Sequence, residues 1–180
     1  MSAQPSLPTI SETNHLSLPG FTQVISLLFE PTALLTRRIY DARPFESYDK
    51  LLDRADELIR DLSPLEQLEV VNAHPRIGEK ATNLSALSCL EQGSKSANED
   101  AVMAKWADLN REYEAVYGFR LVVFVNGRSK ESLLPIAEER IAHGNKAKEL
   151  ATGLSEMVAI ARDRAKKLQA PSSKSPSPKI

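Results

Sequence analysis

The sequence has a single cysteine, Cys89, and so no intramolecular disulfide. Cys89 has no CxxC partner either, which argues against a structural zinc site. A lone thiol fits a reducing compartment. No apolar run approaches the roughly 18 residues needed to cross a bilayer. Met1–His15 lacks the basic and apolar regions of a secretory signal. Neither sign of charge is in excess: 23 Lys and Arg stand against 24 Asp and Glu, a formal net charge of −1. No global field therefore steers the chain toward nucleic acid or an anionic membrane. There is no internal repeat. What is present is an ordinary globular balance, 42% hydrophobic and 26% charged over 180 residues, which suffices for one domain with its own core.

Residues 1–16 carry neither a helical nor a strand period and read as a disordered N-terminal arm. Residues 170–180, rich in Ser, Pro and Lys, bury too little apolar surface to repay their ordering entropy and read as a disordered tail. The expected domain is residues 17–169.

Helical signals fill that domain. Phe21, Ile25, Leu28 and Phe29 form a short stripe stopped by Pro31, and a second short helix covers Ala33 to Tyr40. Tyr48, Leu51, Leu52, Ala55, Leu58, Ile59 and Leu62 mark one face of an amphipathic helix. Ser63-Pro64-Leu65-Glu66 is a capping box with proline at the first helical position. The helix it opens must end near His74, because the residue before Pro75 is pushed out of the α region. Val102, Trp106, Leu109, Tyr113 and Val116 mark a long helix closed by Gly118. A further helix, capped by Ser132 with Pro135 in its first turn, ends at Gly144. The last runs from about Asn145 to Leu168, with Leu150, Leu154, Met157, Ala161 and Leu168 inward. Residues 119–125 break the pattern. They are β-branched and aromatic and are followed by Asn126-Gly127, the signature of a strand entering a hairpin. No partner strand is evident, and an isolated strand is not stable. The expectation is an all-α, single-domain helical bundle with one buried extended segment near residues 119–125.

Three clusters offer chemistry. In Ala73-His74-Pro75-Arg76-Ile77-Gly78-Glu79, a histidine locked by proline at a helix C-terminus has a fixed direction, and the helix dipole favours its protonated form. A helix-capping histidine before a routine loop fits the spacing as well. In Ser88-Cys89-Leu90-Glu91-Gln92 a hydroxyl, a carboxylate and an amide share one helical face, although a capping box opening a helix at Ser88 fits equally. Arg164 falls beside the apolar stripe of the last helix. It either snorkels to water or directs its guanidinium into a pocket, while Arg162, about 200° away, faces solvent.

Taken together, the chain resembles the 2-oxo-4-hydroxy-4-carboxy-5-ureidoimidazoline (OHCU) decarboxylases. The match runs through Phe29-Glu30, Ala42-Arg43-Pro44-Phe45-Glu46-Ser47, His74-Pro75-Arg76-Ile77-Gly78 and Ser88-x-x-Glu91-Gln92. It continues in Leu109-Asn110-x-x-Tyr113, Tyr117-Gly118-Phe119 and Asn126-Gly127-Arg128-Ser129, then Arg140 and Glu149-x-x-Thr152-x-Leu154-x-Glu156, leading to Arg164. Two positions depart: Arg76, where the family is often acidic, and Gly153, where alanine is usual and glycine should soften the last helix. The resemblance implies an all-helical homodimer that acts on a small molecule without metal or organic cofactor, and without nucleic acid or membrane as partner. It implies removal of CO₂ from OHCU to give (S)-allantoin in urate degradation. By motif it carries over His74 and Glu91 as catalytic residues. Pro75, Ser88, Gln92 and Arg164 carry over as substrate-binding residues, together with backbone groups of Leu121, Val122, Val123, Phe124 and Val125. It implies a peroxisomal or cytoplasmic location, and the final Pro178-Lys179-Ile180 only weakly echoes a peroxisomal address. A non-catalytic helical adaptor and a different small-molecule lyase are the alternatives on the same scaffold.

Overall fold

The computed structural model describes residues 6–79 and 99–169. Among them the chain forms eight helices and no strand: α1 (Ile10–His15), α2 (Leu18–Ile25), α3 (Ala33–Asp41), α4 (Tyr48–Arg60), α5 (Pro64–Ala73), α6 (Glu99–Tyr117), α7 (Lys130–His143) and α8 (Lys146–Gln169). No helix among the described residues is long and apolar enough to cross a membrane.

Side-chain caps set the helix starts. The Oγ atoms of Thr32, Ser47 and Ser129 accept from the backbone of Leu35, Lys50 and Ser132, satisfying donors that a first turn leaves open. Ser63 and Glu66 close a reciprocal capping box at α5, as their spacing predicts. At the other end of α5, His74 adopts φ −69°, ψ 135°, the extended geometry that Pro75 demands. α8 is the central helix. It packs against α4 and α5, burying Leu154, Met157, Val158, Ile160 and Ala161. α6 packs on α7, and α3 bridges α2 and α4.

Three expectations are corrected, and the glycine at position 153 gains a packing role. Residues 6–16 are not a loose arm: Thr9 and Glu12 form a capping box for α1, the Thr13 hydroxyl shares a 2.7 Å hydrogen bond with Tyr48, and Asn14 pairs with the backbone of Phe45. Pro135 lies inside α7 rather than in its first turn, because Ser129 is the cap and the Ser132 hydroxyl bonds back to the Ser129 carbonyl. The N–H that proline lacks there would have met the carbonyl of Glu131, in the exposed first turn. Val116 is 53% exposed, and the inward position passes to Tyr117, one turn beyond Tyr113. Gly153 does not interrupt α8. A Cβ there would meet Val71 Cγ2 at 3.3 Å, so the glycine lets α5 and α8 approach. Residues 1–5 and 170–180 lie outside the described residues.

Residues 120–125 form neither helix nor strand, and their alternate backbone bonds at 120, 122 and 124 fit an extended course; Phe119, Leu121, Val122 and Val123 lie in the core, while Arg120, Phe124 and Val125 are half-buried. Asn126 and Gly127 both take positive φ (47° and 72°), the hairpin-turn geometry. Yet the turn leads into α7, and the segment has no strand partner among the described residues. Beyond the turn lies a buried polar cluster. Arg140 Nε donates to Glu149 Oε2 (2.6 Å), the Tyr113 hydroxyl donates to the same oxygen (2.8 Å), and Arg140 Nη2 lies 3.3 Å from the Tyr113 oxygen. Gly144 is required here by crowding: a Cβ would fall 2.3 Å from both the Tyr117 hydroxyl and the Arg140 carbonyl, which are themselves hydrogen-bonded.

Candidate active site

At the end of α5, His74 lies within electrostatic reach of Arg164 of α8, Glu30 and Arg120, and Arg120 opens the extended segment of residues 120–125. The His74 backbone is held at both ends. Its N–H donates to the Val71 carbonyl, and its carbonyl accepts from Arg120 Nη1 at 3.0 Å. The imidazole makes no hydrogen bond among the described residues, so its nitrogens are not committed to structure there. Pro75, the next residue, is buried. The following loop is docked on α6. Arg76 makes a two-pronged ion pair with Glu114 (2.6 and 2.9 Å), and Asn110 Nδ2 donates to the Ile77 carbonyl. This is what the arginine at position 76 does. Gly78 has φ +85°, and a Cβ would crowd Met103 and Trp106 at 3.3 Å, so this turn needs glycine.

Arg164 is 2% exposed. Its Nη1 donates to the Leu28 carbonyl and its Nη2 pairs with Glu30, both at 3.3 Å. A buried guanidinium requires such partners. Arg162, expected to face solvent, is half-exposed and is tied to Asp53 of α4 at 2.9 Å. Glu30 and Arg120 are the site residues that sequence reasoning passed over. Glu30 stood in the Phe29-Glu30 match, but an acid just before Pro31 gave no local sign that it faces α8. Ser88, Glu91 and Gln92 lie outside the described residues. Among the described residues no three His, Cys, Asp or Glu side chains converge as a metal site would need.

The expected protonated His74 is corrected. Its pKa is pushed down from 6.5 to about 4, first by burial and then by the positive Arg164, with Arg120 acting in the same direction and Glu30 opposing. The helix dipole is outweighed, and the imidazole is neutral at pH 7. Because the folded pKa lies below the unfolded one, the unfolded chain binds the extra proton between these values. Stability is expected to be undiminished above about pH 6.5 and to fall by up to about 1.4 kcal/mol per pH unit on the way down to about 4. Urea titrations at intervals of half a pH unit check this. A flat profile across the window would mean that the histidine is solvated.

The extended segment presents two different edges. Arg120, Val122 and Phe124 make backbone hydrogen bonds to side chains, whereas Leu121 and Val123, though fully buried, make none with their backbone among the described residues.

A family model described as OHCU decarboxylase matches residues 14–166. The chain belongs to the OHCU decarboxylase family. Among curated relatives, this family member is 28% identical over 165 residues to the 2-oxo-4-hydroxy-4-carboxy-5-ureidoimidazoline decarboxylase of Halalkalicoccus jeotgali, spanning 91% of this chain and 93% of the relative. It is 27% identical to the protein of the same name from Haloferax volcanii, over 87% and 93% of the two chains. Of the solved structures, one of OHCU decarboxylase in the presence of (S)-allantoin superposes with TM-score 0.63 at 21% identity, covering 77% of this chain and 92% of that one, which supports the all-helical fold. The family member is accordingly a carboxy-lyase, and its place is in urate degradation.

Proposed function

We propose that this OHCU decarboxylase-family enzyme removes CO₂ from OHCU without metal or organic cofactor and releases (S)-allantoin. The observation that carries the reading is a neutral imidazole, His74, with no hydrogen bond among the described residues, next to the buried Arg164. In OHCU the carboxylate sits on a hydroxyl-bearing carbon next to a ring C=N bond. When the carbon–carboxylate bond breaks, its electron pair forms a double bond to the neighbouring ureido-bearing carbon, and the C=N pair moves onto nitrogen. The substrate supplies its own electron sink, so the protein has to position it, exclude water and move protons. His74, neutral, takes the hydroxyl proton as the carbonyl of the product forms and passes it to the ring nitrogen that received the C=N pair. Glu91 delivers a proton to one face of the ureido-bearing carbon, which fixes the product's hand. Ser88 and Gln92 hold ureido and ring polar atoms. Arg164 meets the developing oxyanion or a ring carbonyl, and Glu30 fixes its fork. The free edge of Leu121 and Val123 offers N–H and C=O groups to the planar ring. In this reading the working unit is a homodimer.

Freshly generated OHCU mixed with purified enzyme tests the reading. Circular dichroism should show one enantiomer accumulating faster than spontaneous decay, unchanged by EDTA. Racemic product at the uncatalysed rate overturns it.

A further inference from the structure

The two-edged segment has a cause that reaches beyond the groups touching substrate. In an extended chain successive peptide groups point to opposite edges, so even and odd residues present separate rows of donors and acceptors. On the even row, the Arg120 N–H donates to Asn72 Oδ1 of α5 at 2.9 Å. The Val122 carbonyl accepts from Arg140 Nη1 of α7 at 2.8 Å. The Phe124 N–H donates to Glu156 Oε2 of α8 at 2.7 Å. Three side chains from three helices do the work of a neighbouring strand. The odd row, Leu121 and Val123, is 1% and 4% exposed and has no hydrogen-bond partner among the described residues. Buried backbone groups are almost always paired, so an open pair marks a row kept for something else.

We propose that Glu156 is a positioning residue of the decarboxylation site. Its carboxylate pins Phe124 so that the Leu121–Val123 row stays aimed at the substrate, with Asn72 and Arg140 sharing the task. The inference rests on the function proposed above. The bond runs from a backbone N–H to a carboxylate oxygen at 2.7 Å, the stronger, charge-assisted kind. α8 also carries Arg164 two turns further on, about 12 Å along the axis, so one rigid helix sets the distance between the guanidinium and the row. Pairing with a strand would have fixed the row equally well but would have needed a second extended segment. Side chains from packed helices need none.

Contacts from a preset row act on bound substrate and transition state alike. Loss of the pin is therefore read in KM more than in kcat. Glu156→Ala should raise KM for OHCU by about tenfold, and the inhibition constant of (S)-allantoin by the same factor, with kcat within about threefold. Glu156→Gln, whose amide oxygen still accepts from Phe124, should restore most of both. Asn72→Ala, which frees Arg120 on the same row, should shift KM in the same direction. Asp53→Ala is the control: it removes an ion pair between α4 and α8 without touching the segment, and should leave KM and the inhibition constant unchanged. Amide hydrogen exchange across residues 119–125 supplies a readout that needs no turnover. It should accelerate in Glu156→Ala and not in Asp53→Ala. If the parent enzyme fails to process OHCU, the proposed function falls while the exchange result still decides the pinning. If the parent is active and Glu156→Ala keeps the parental KM and inhibition constant, or if exchange is unchanged or rises equally in the control, the positioning role is overturned.

Discussion

His74→Ala is expected to lower kcat for OHCU by roughly two to four orders of magnitude, the usual weight of a positioned proton acceptor, while leaving the fold in place. The two parts of this result have separate origins. The imidazole makes no hydrogen bond among the described residues, and the backbone contacts to Val71 and Arg120 survive the substitution, so little structure depends on the ring. The melting temperature at pH 7 should stay within a few degrees. At pH 5 the variant should be relatively more stable than the parent, because it no longer carries a base whose pKa folding lowers and which the unfolded chain protonates first. Kinetics by circular dichroism and a pair of melts at the two pH values check both halves. A fully active variant removes the catalytic assignment, and a variant that fails to fold at pH 7 makes the histidine structural.

Glu149→Ala is expected to cost about 3–5 kcal/mol of stability, the range for breaking a buried ion pair from one side. The pair is well enclosed, with the side chains of Arg140 and Glu149 only 12% and 6% exposed. The substitution leaves the guanidinium without its carboxylate and takes the acceptor from the Tyr113 hydroxyl. At roughly 2–4 °C per kcal/mol for a chain of this size, the melting temperature should fall by about 6–20 °C. Glu149→Gln keeps the volume and one acceptor oxygen and should cost less. A loss below about 1 kcal/mol for the alanine variant would mean that water enters and solvates the pair. Tyr113 gives a second view of the site: burial pushes its hydroxyl pKa upward, so it stays a proton donor at any working pH.

Short-range signals were the legible ones. Ser63 with Glu66, and His74 before Pro75, fix both ends of α5 because each rule acts over three residues or fewer. α1 carries a signal of the same short reach, the Thr9–Glu12 capping box, but its docking comes from afar: the Thr13 hydroxyl meets Tyr48, 35 residues on, and six residues hold too little apolar period to announce a helix. At α7 two serines compete for the cap three residues apart, and only the backbone decides between Ser129 and Ser132. The protonation of His74 departs from the local expectation for a related reason. The dipole of α5 is a local property, whereas Arg164, Arg120 and Glu30 arrive from other elements. The extended character of residues 119–125 was visible in β-branched and aromatic content. That its supports would be an asparagine, an arginine and a glutamate on helices could not be seen from periodicity, because those three residues are ordinary members of helical faces. Arg164 and His74 came into view as site residues through the family motif rather than through spacing.

The three supports of the extended segment also bear on how the chain acquires its structure. They span 48, 18 and 32 residues of sequence, so none of them forms within a local stretch. The helices that supply them can start from their own caps and neighbours, while the segment has to wait until α5, α7 and α8 have closed the loops between them. The stretch that faces the substrate is thus the part whose shape is acquired through docking, and its order is as good as the assembly around it.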